Sequence, residues 1–200
     1  MRITQSYLNQ LELEQLSELA KFVVEENFNH HSESIMPEIQ LQNDVREVYN
    51  EELSYFKNSE IFVLKDPKGS IQGSIRVIKW DYKTTLPIQK LFNINPLEIS
   101  SSQNLSSIWH IGRFATNKSN TDRSLFKKLM VHAITPICKD ENSVAFAECD
   151  SKLLRVMNLM GIKTDIIGES ISYLGSETVP ISMNYEGLKG FYDTNRYLVI

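Results

Sequence analysis

Six residue types in two short segments can do acid–base, nucleophilic or anion chemistry. Trp109 to Lys128 reads WHIGRFATNKSNTDRSLFKK and carries His110, Arg113, Lys118, Arg123, Lys127 and Lys128, while Glu148, Cys149 and Asp150 close the apolar run SVAFAECD. A histidine, with an ordinary pKa near ~6.5, can take the proton that an ammonium group must lose before its nitrogen attacks a carbonyl. Glu148 is a second base of the same kind. Arg113 can hold a carboxylate or order a strand, and Arg76, after Gly73 and Ser74, can pair with Glu148 across neighbouring strands. Cys149 has neither a helix N-terminus nor a histidine set beside it by sequence, so it reads as a core thiol.

The elements around these residues follow from periodicity. SIWHIGRFAT is a strand, NKSNTDR a polar loop, and Leu125, Leu129, Met130, Ala133, Ile134 and Ile137 form the apolar face of a helix. A strand that feeds a helix through a polar loop points free N–H groups at the strand end, a geometry that binds phosphate. A solvated basic loop is the other reading of the same residues. Strict alternation sends His110 and Arg113 to opposite faces; Gly112 between them is a bulge position that brings both to one face.

Upstream, Leu11, Leu16, Leu19, Ala20, Val23, Val24 and Phe28 predict an amphipathic helix, and Met1 to Leu8 a short opening strand. Asp44 is the expected cap of a second helix, DVREVYNEELSYF. EIFVLKD, the turn signal PKGS and IQGSIRVIKW make a hairpin. Asp81 to Ser107 is a long connection, PIQKLFNI its helical part, expected to serve as a lid or wall. SKLLRVMNLM is a helix ending at Gly161, and IKTDIIGES with TVPISMNY read as two closing strands. The order β-α-α-β-β-β-α-β-α-β-β predicts an α/β (α+β) domain spanning 1–200, its mixed sheet covered by helices on both faces.

Composition narrows the function. The chain has 200 residues, net charge -4, 42% hydrophobic and 23% charged residues. That balance excludes a broad nucleic-acid grip, which needs a strongly basic face. No run is apolar for long enough to cross a bilayer, and two cysteines without CxxC spacing fit a reduced, cytoplasmic compartment. Glu25, Glu26, His30, His31 and Glu33 lack metal-ligand spacing, and no metal is expected.

Three motifs carry a family resemblance: G-S-x-R at Gly73 to Arg76, W-H-I-G-R-F at Trp109 to Phe114, and L-L-R-V-M-N-L-M-G at Leu153 to Gly161. Over about Glu60 to Asn184 the chain resembles the GNAT superfamily of N-acyltransferases, and within it the acyl-homoserine-lactone synthases and N-acyl amino acid synthases. The resemblance implies a mostly antiparallel mixed sheet of about seven strands, with Ile108 to Thr116 and Ser143 to Cys149 splayed into a V-shaped gap. A pantetheine arm would lie there, its thioester carbonyl against N–H groups of Phe114, Ala115 and Thr116. Arg123, Ser124, Leu125, Phe126 and Lys127 would face the donor phosphate, and Arg76, Trp80 and Trp109 the substrate. Met157, Met160 and Phe146 are the acyl-tunnel candidates.

The implied reaction is direct attack of a small-molecule amine, amino acids included, on acyl-CoA or an acyl-(acyl carrier protein), with His110, Arg113 and Glu148 as catalytic candidates. The implied assembly is a monomer or homodimer. Two departures from acetyl-CoA enzymes point to the carrier-protein branch. Thr121 to Phe126 stands where they have a glycine-rich pyrophosphate loop, and Met157 stands where they often have a tyrosine. The branch's glutamate is His110 here, and its acidic cluster is not matched around Glu38 to Asp44. Homoserine-lactone formation is therefore not implied. A non-catalytic scaffold and an ordinary acetyltransferase remain the alternatives.

Overall fold

The period-two run from Ser59 produces the expected hairpin, β2 (Ser59–Lys65) and β3 (Ile71–Lys79), closed by a turn in which Asp66 accepts the N–H groups of Lys68 and Ser70. The structure, a computed structural model, describes residues 8–31, 37–99 and 105–199. The strand β1 (Leu8–Gln10) pairs with β2. Apart from Leu8, the opening strand expected at Met1 to Leu8 lies outside the described residues.

Helix α1 (Leu16–His31) buries Leu16, Leu19, Ala20, Val23 and Val24, the stripe its spacing predicts. Helix α2 (Glu38–Tyr55) starts six residues before Asp44, after Pro37. Leu41 and Val45 pack against Ala20 and Val24 of α1, so the apolar stripe extends back through what reads as a polar stretch, and Asp44 lies inside the helix. The long connection holds α3 (Pro87–Phe92) and the single turn α4 (Pro96–Ile99). Then follow β4 (Ser107–Thr116), α5 (Leu125–Ile134), β5 (Ser143–Asp150) and α6 (Ser151–Leu159), capped by Asp150, whose side chain accepts the N–H groups of Lys152 and Leu153.

The C-terminal part differs from expectation. It holds three strands, β6 (Asp165–Ile166), β7 (Ile171–Tyr173) and β8 (Ser176–Asn184), and ends in a helix, α7 (Tyr185–Asn195), that the periodicity reading missed. Two glycines weaken its intrinsic propensity. Its signals are the Asn184 side chain, which accepts the Gly187 N–H, and the buried pair Leu188 and Phe191. The β7–β8 turn carries Leu174 and Gly175, both at positive φ of 45° and 78°, the backbone that a two-residue hairpin favours.

The eight strands form one sheet in the order β1-β2-β3-β4-β5-β8-β6, with β7 also on β8. Among the described residues only β4 and β5 run parallel; every other pair is antiparallel. One face packs Ile61, Val63, Ile78, Ile108 and Phe146 under α1, α2 and α3. The other packs Ile75, Val77, Ile111, Ala145 and Ala147 under α5 and α7. Helices thus cover both faces. Burying large aliphatic side chains of this kind stabilises by ~1.5–3 kcal/mol each, which makes the sheet a rigid frame for what lies at its centre.

Candidate active site

The site begins where two parallel strands part. β4 and β5 pair from Ser107↔Ser143 to Ile111↔Ala147, yet β4 continues to Thr116 and β5 to Asp150. Beyond Ile111 the edge of β4 that faces β5 has no strand partner, so its backbone groups are open to a ligand. A cavity of about 440 Å³ fills this gap, within the range of ligand sites.

The gap passes through the sheet, and its two ends differ in chemistry. On the α5 side it is lined by Leu125, Phe126, Met130, Ala147, Met157 and Met183; on the α1–α2 side by Glu26, Glu51, Arg113, Glu148 and Asp150. The α5 side is mainly apolar, with Asp122 and Arg123 ahead of the helix, and the α1–α2 side carries most of the charge, beside Val23 and Leu91.

A bulge in β4 builds the charged end. Opposite β3 the register runs Arg76↔Gly112 and then Ser74↔Ala115, so one extra residue sits on β4. That residue is Arg113, at φ 52°, a left-handed conformation uncommon for a residue with a Cβ. The strain therefore falls on Arg113, one position after the glycine that sequence favoured. Ser74 Oγ donates to the Arg113 carbonyl at 2.9 Å and pins the bulge. Its effect is to send Arg113 to the face that already carries His110.

There Arg113 meets two carboxylates of α2. Its Nε donates to Glu52 Oε1 at 2.6 Å, its Nη2 pairs with Glu51, and Glu52 also binds the Arg76 guanidinium. Burial works against the Arg113 charge, but Glu52 and Glu51 outweigh it and hold the group further into its protonated range. Glu52 and Arg76 are 0% and 1% exposed. A pair so deep is tolerable only because the charges compensate within hydrogen-bond distance. Gly112 leaves the room: a Cβ there would stand 2.9 Å from Arg76 Nη2 and 3.2 Å from His110 Cε1.

Next to this cluster, His110 Nε2 lies 3.0 Å from each oxygen of Glu148. With Glu148 ionised, Nε2–H donates to it, and Nδ1 then carries the lone pair. His110 is fully buried and is not part of the cavity wall, whereas Glu148 is.

The C-terminal end of α1 closes the mouth. His30 Nε2 lies 2.9 Å from the Thr116 carbonyl, Lys118 donates to Asn29 O and Lys152 to His30 O, both at 2.6 Å. Cations on the last carbonyls of a helix also suit its dipole. Glu26, Asn27, His30 and His31 thereby line the cavity, although among the described residues no cluster could hold a metal ion.

Of the residues singled out in sequence, Arg76, Arg113, Phe114, Ala115, Thr116, Arg123, Leu125, Phe126 and Glu148 line the cavity. Ser124 and Lys127 do not. Trp80 is buried with Leu86 and Ile88, its Nε1 donating to Thr84 O at 2.7 Å, and Trp109 lies on the α5 face, its Nε1 donating to Ser107 Oγ; neither reaches the cavity. Both indoles are anchored within their own neighbourhoods. Of the tunnel candidates, Met157 lines the gap, Met160 is exposed and Phe146 packs on the opposite face.

The four cations near α5 do not converge, since Lys118 is held by α1 and Lys128 by Asp122 at 3.0 Å. Sequence reasoning missed Glu51 and Glu52. Their signal is a carboxylate on the apolar stripe of α2, with Glu52 four residues after Val48.

No protein-family model matches the sequence, and no curated protein matches it. Solved structures do. FeeM, an N-acyl amino acid synthase from uncultured soil microbes, is 12% identical, covers 97% of this chain and 98% of its own, and superposes with a TM-score of 0.66. The chain has the GNAT fold. Two further GNAT-fold structures are BjaI, a CoA-dependent acyl-homoserine lactone synthase with isopentyl-CoA and S-adenosylmethionine, and the PaiA N-acetyltransferase of Thermoplasma acidophilum in complex with coenzyme A. BjaI is 15% identical with a TM-score of 0.61 over 96% of this chain and 90% of its own; PaiA is 14% identical with a TM-score of 0.56 over 90% and 98%. The mostly antiparallel mixed sheet of about seven strands expected from sequence is present, with β6 and β7 as short pieces on β8, and the splayed parallel pair β4–β5 lies at its centre.

Proposed function

We propose that the chain is an N-acyltransferase that moves an acyl group from a thioester donor to the amine of a small molecule by direct attack. The observation that carries this reading is the gap through the sheet, apolar at one end and carboxylate-bearing at the other. The acyl chain occupies the apolar end, where methionines accommodate irregular shapes, and the amine enters at the charged end. The thioester carbonyl lies along the unpaired edge of β4 at Phe114 to Thr116.

In the reaction Glu148 takes a proton from the incoming ammonium, and the free amine attacks the carbonyl carbon. Negative charge gathers on the carbonyl oxygen, where N–H groups of the open edge stabilise it. The C–S bond then breaks, the electron pair leaves with sulfur, and the thiolate takes up a proton to depart as a thiol. His110 stands behind Glu148, positions its carboxylate and shares the acquired proton. Arg113 and Arg76 hold the bulge and α2 in place. Burial pushes the Cys149 thiol up to about 12, so it stays protonated and forms no acyl-enzyme.

The donor is acyl-CoA or an acyl carrier protein; the acceptor class includes amino acids. The test is thiol release from acyl thioesters of graded length incubated with a panel of amines. Amine-dependent release is expected. Absence of release with every donor, together with no binding of any thioester, would sink the reading in favour of the scaffold.

A further inference from the structure

Helix α6 has two faces of different character. Leu153, Leu154 and Met157 turn inward against the sheet, and Leu153 and Met157 line the cavity. The outer face carries Val156, Leu159 and Met160 at 37%, 76% and 39% exposure. Residues three and four apart are neighbours on a helix surface, so these aliphatics form one patch, unlike single apolar residues scattered over a surface. Val156 also lines the cavity, which makes the patch continuous with it.

Cations surround the patch. From Ser151 to Thr164 the chain has Lys152, Arg155 and Lys163 and no carboxylate, although its net charge is -4. Lys152 and Arg155 stand one turn before Val156 and Leu159, on the same face. Lys152 Nζ donates to His30 O at 2.6 Å, while Arg155 and Lys163 are exposed and, among the described residues, form no ion pair. Of the flanking acids, Asp150 is engaged by the first N–H groups of α6 and by His31, and Asp165 lies beyond the helix on β6.

We propose that this face of α6 docks on an anionic lipid surface. Leu159, Val156 and Met160 enter the boundary between headgroups and acyl chains, and the long side chains of Arg155 and Lys163 reach the headgroup phosphates. The patch has none of the aromatic side chains that anchor protein partners, and flexible aliphatic side chains need no complementary shape opposite them. A bilayer docked here lies beside the cavity wall at Val156, where an amphiphilic acyl compound passes between lipid and cavity without crossing water. The docking goes beyond the acyltransferase reading and stands on the surface alone.

The test is flotation of the full chain with vesicles of phosphatidylcholine alone, or of phosphatidylcholine with phosphatidylglycerol at about three to one, in low and high salt. Binding to the anionic vesicles should be at least about tenfold stronger and should weaken with salt. Arg155→Gln should lower it about fivefold and Leu159→Ser about tenfold. Leu53→Ser, at an exposed leucine of α2, should leave it unchanged. Neither Arg155 nor Leu159 lines the cavity, so thiol release from a short-chain acyl-pantetheine without vesicles should be the same in both variants as in the unaltered chain. A weaker preference for anionic vesicles, binding that salt or either variant leaves unchanged, or an equal loss in Leu53→Ser overturns the docking. So does an effect of the two variants confined to self-association or to capture of an acidic carrier protein. Vesicle binding is read without turnover, so its failure leaves the acyltransferase reading standing, and failure of thiol release with every donor leaves the docking standing.

Discussion

Glu148 presents both carboxylate oxygens to His110 Nε2 at 3.0 Å, and of the two residues only Glu148 faces the cavity. A carboxylate of β5 thus stands at the gap with a histidine of β4 behind it. Burial decides which of the pair meets a substrate.

Glu148→Gln removes the proposed base and keeps the shape, so kcat should fall on the order of a hundredfold. His110→Gln should cost less, because in the proposed mechanism the histidine positions Glu148 and does not itself meet the substrate. Steady-state thiol release separates the two; a loss as large as that of Glu148→Gln would overturn the ranking.

Glu52 neutralises two arginines at once. Glu52→Gln leaves Arg113 with Glu51 and Arg76 without its carboxylate, and should destabilise the fold by about 3–5 kcal/mol in urea titration. A loss below about 1 kcal/mol would show that water reaches the cluster.

Ala147 lies in the wall of the gap where the strands part. Ala147→Leu should narrow the passage to the apolar end, lowering turnover of eight-carbon and longer acyl-pantetheines about tenfold while sparing acetyl. Uniform loss across chain lengths would place the acyl group elsewhere.

His132 on α5 packs against Phe62 with ring centroids 5.2 Å apart. Burial lowers its pKa below the ordinary 6.5, against the opposing pull of the Lys128 carbonyl. A group depressed in the folded state contributes stability that is complete above the unfolded value and drains away as pH falls from about 6.5 through the folded one. Stability measured from pH 8 to pH 5 should therefore decline below about 6.5, and His132→Gln should flatten that decline.

Much of the frame was legible in sequence because periodicity reports which face of an element is buried. The hairpin β2–β3, the strand SIWHIGRFAT and the stripe of α5 appear where their spacing places them. The early start of α2 and the whole of α7 were not, since Leu41 in one case and two glycines in the other hide a stripe that only packing completes.

The site divides in the same way. The residue types and the strand ends that carry them are local facts: His110, Arg113 and Glu148 could be named from sequence, and the absence of glycine from Thr121 to Phe126 is visible there. Their partners are not local. Glu51 and Glu52 lie about sixty residues from Arg113, and no spacing rule couples an α2 helix to a β4 bulge. Which of His110 and Glu148 faces the cavity depends on burial within a three-dimensional gap. Sequence determined which chemical groups the chain owns; the packing of two splayed strands against α1 and α2 decided which of them are desolvated, paired or left facing the cavity.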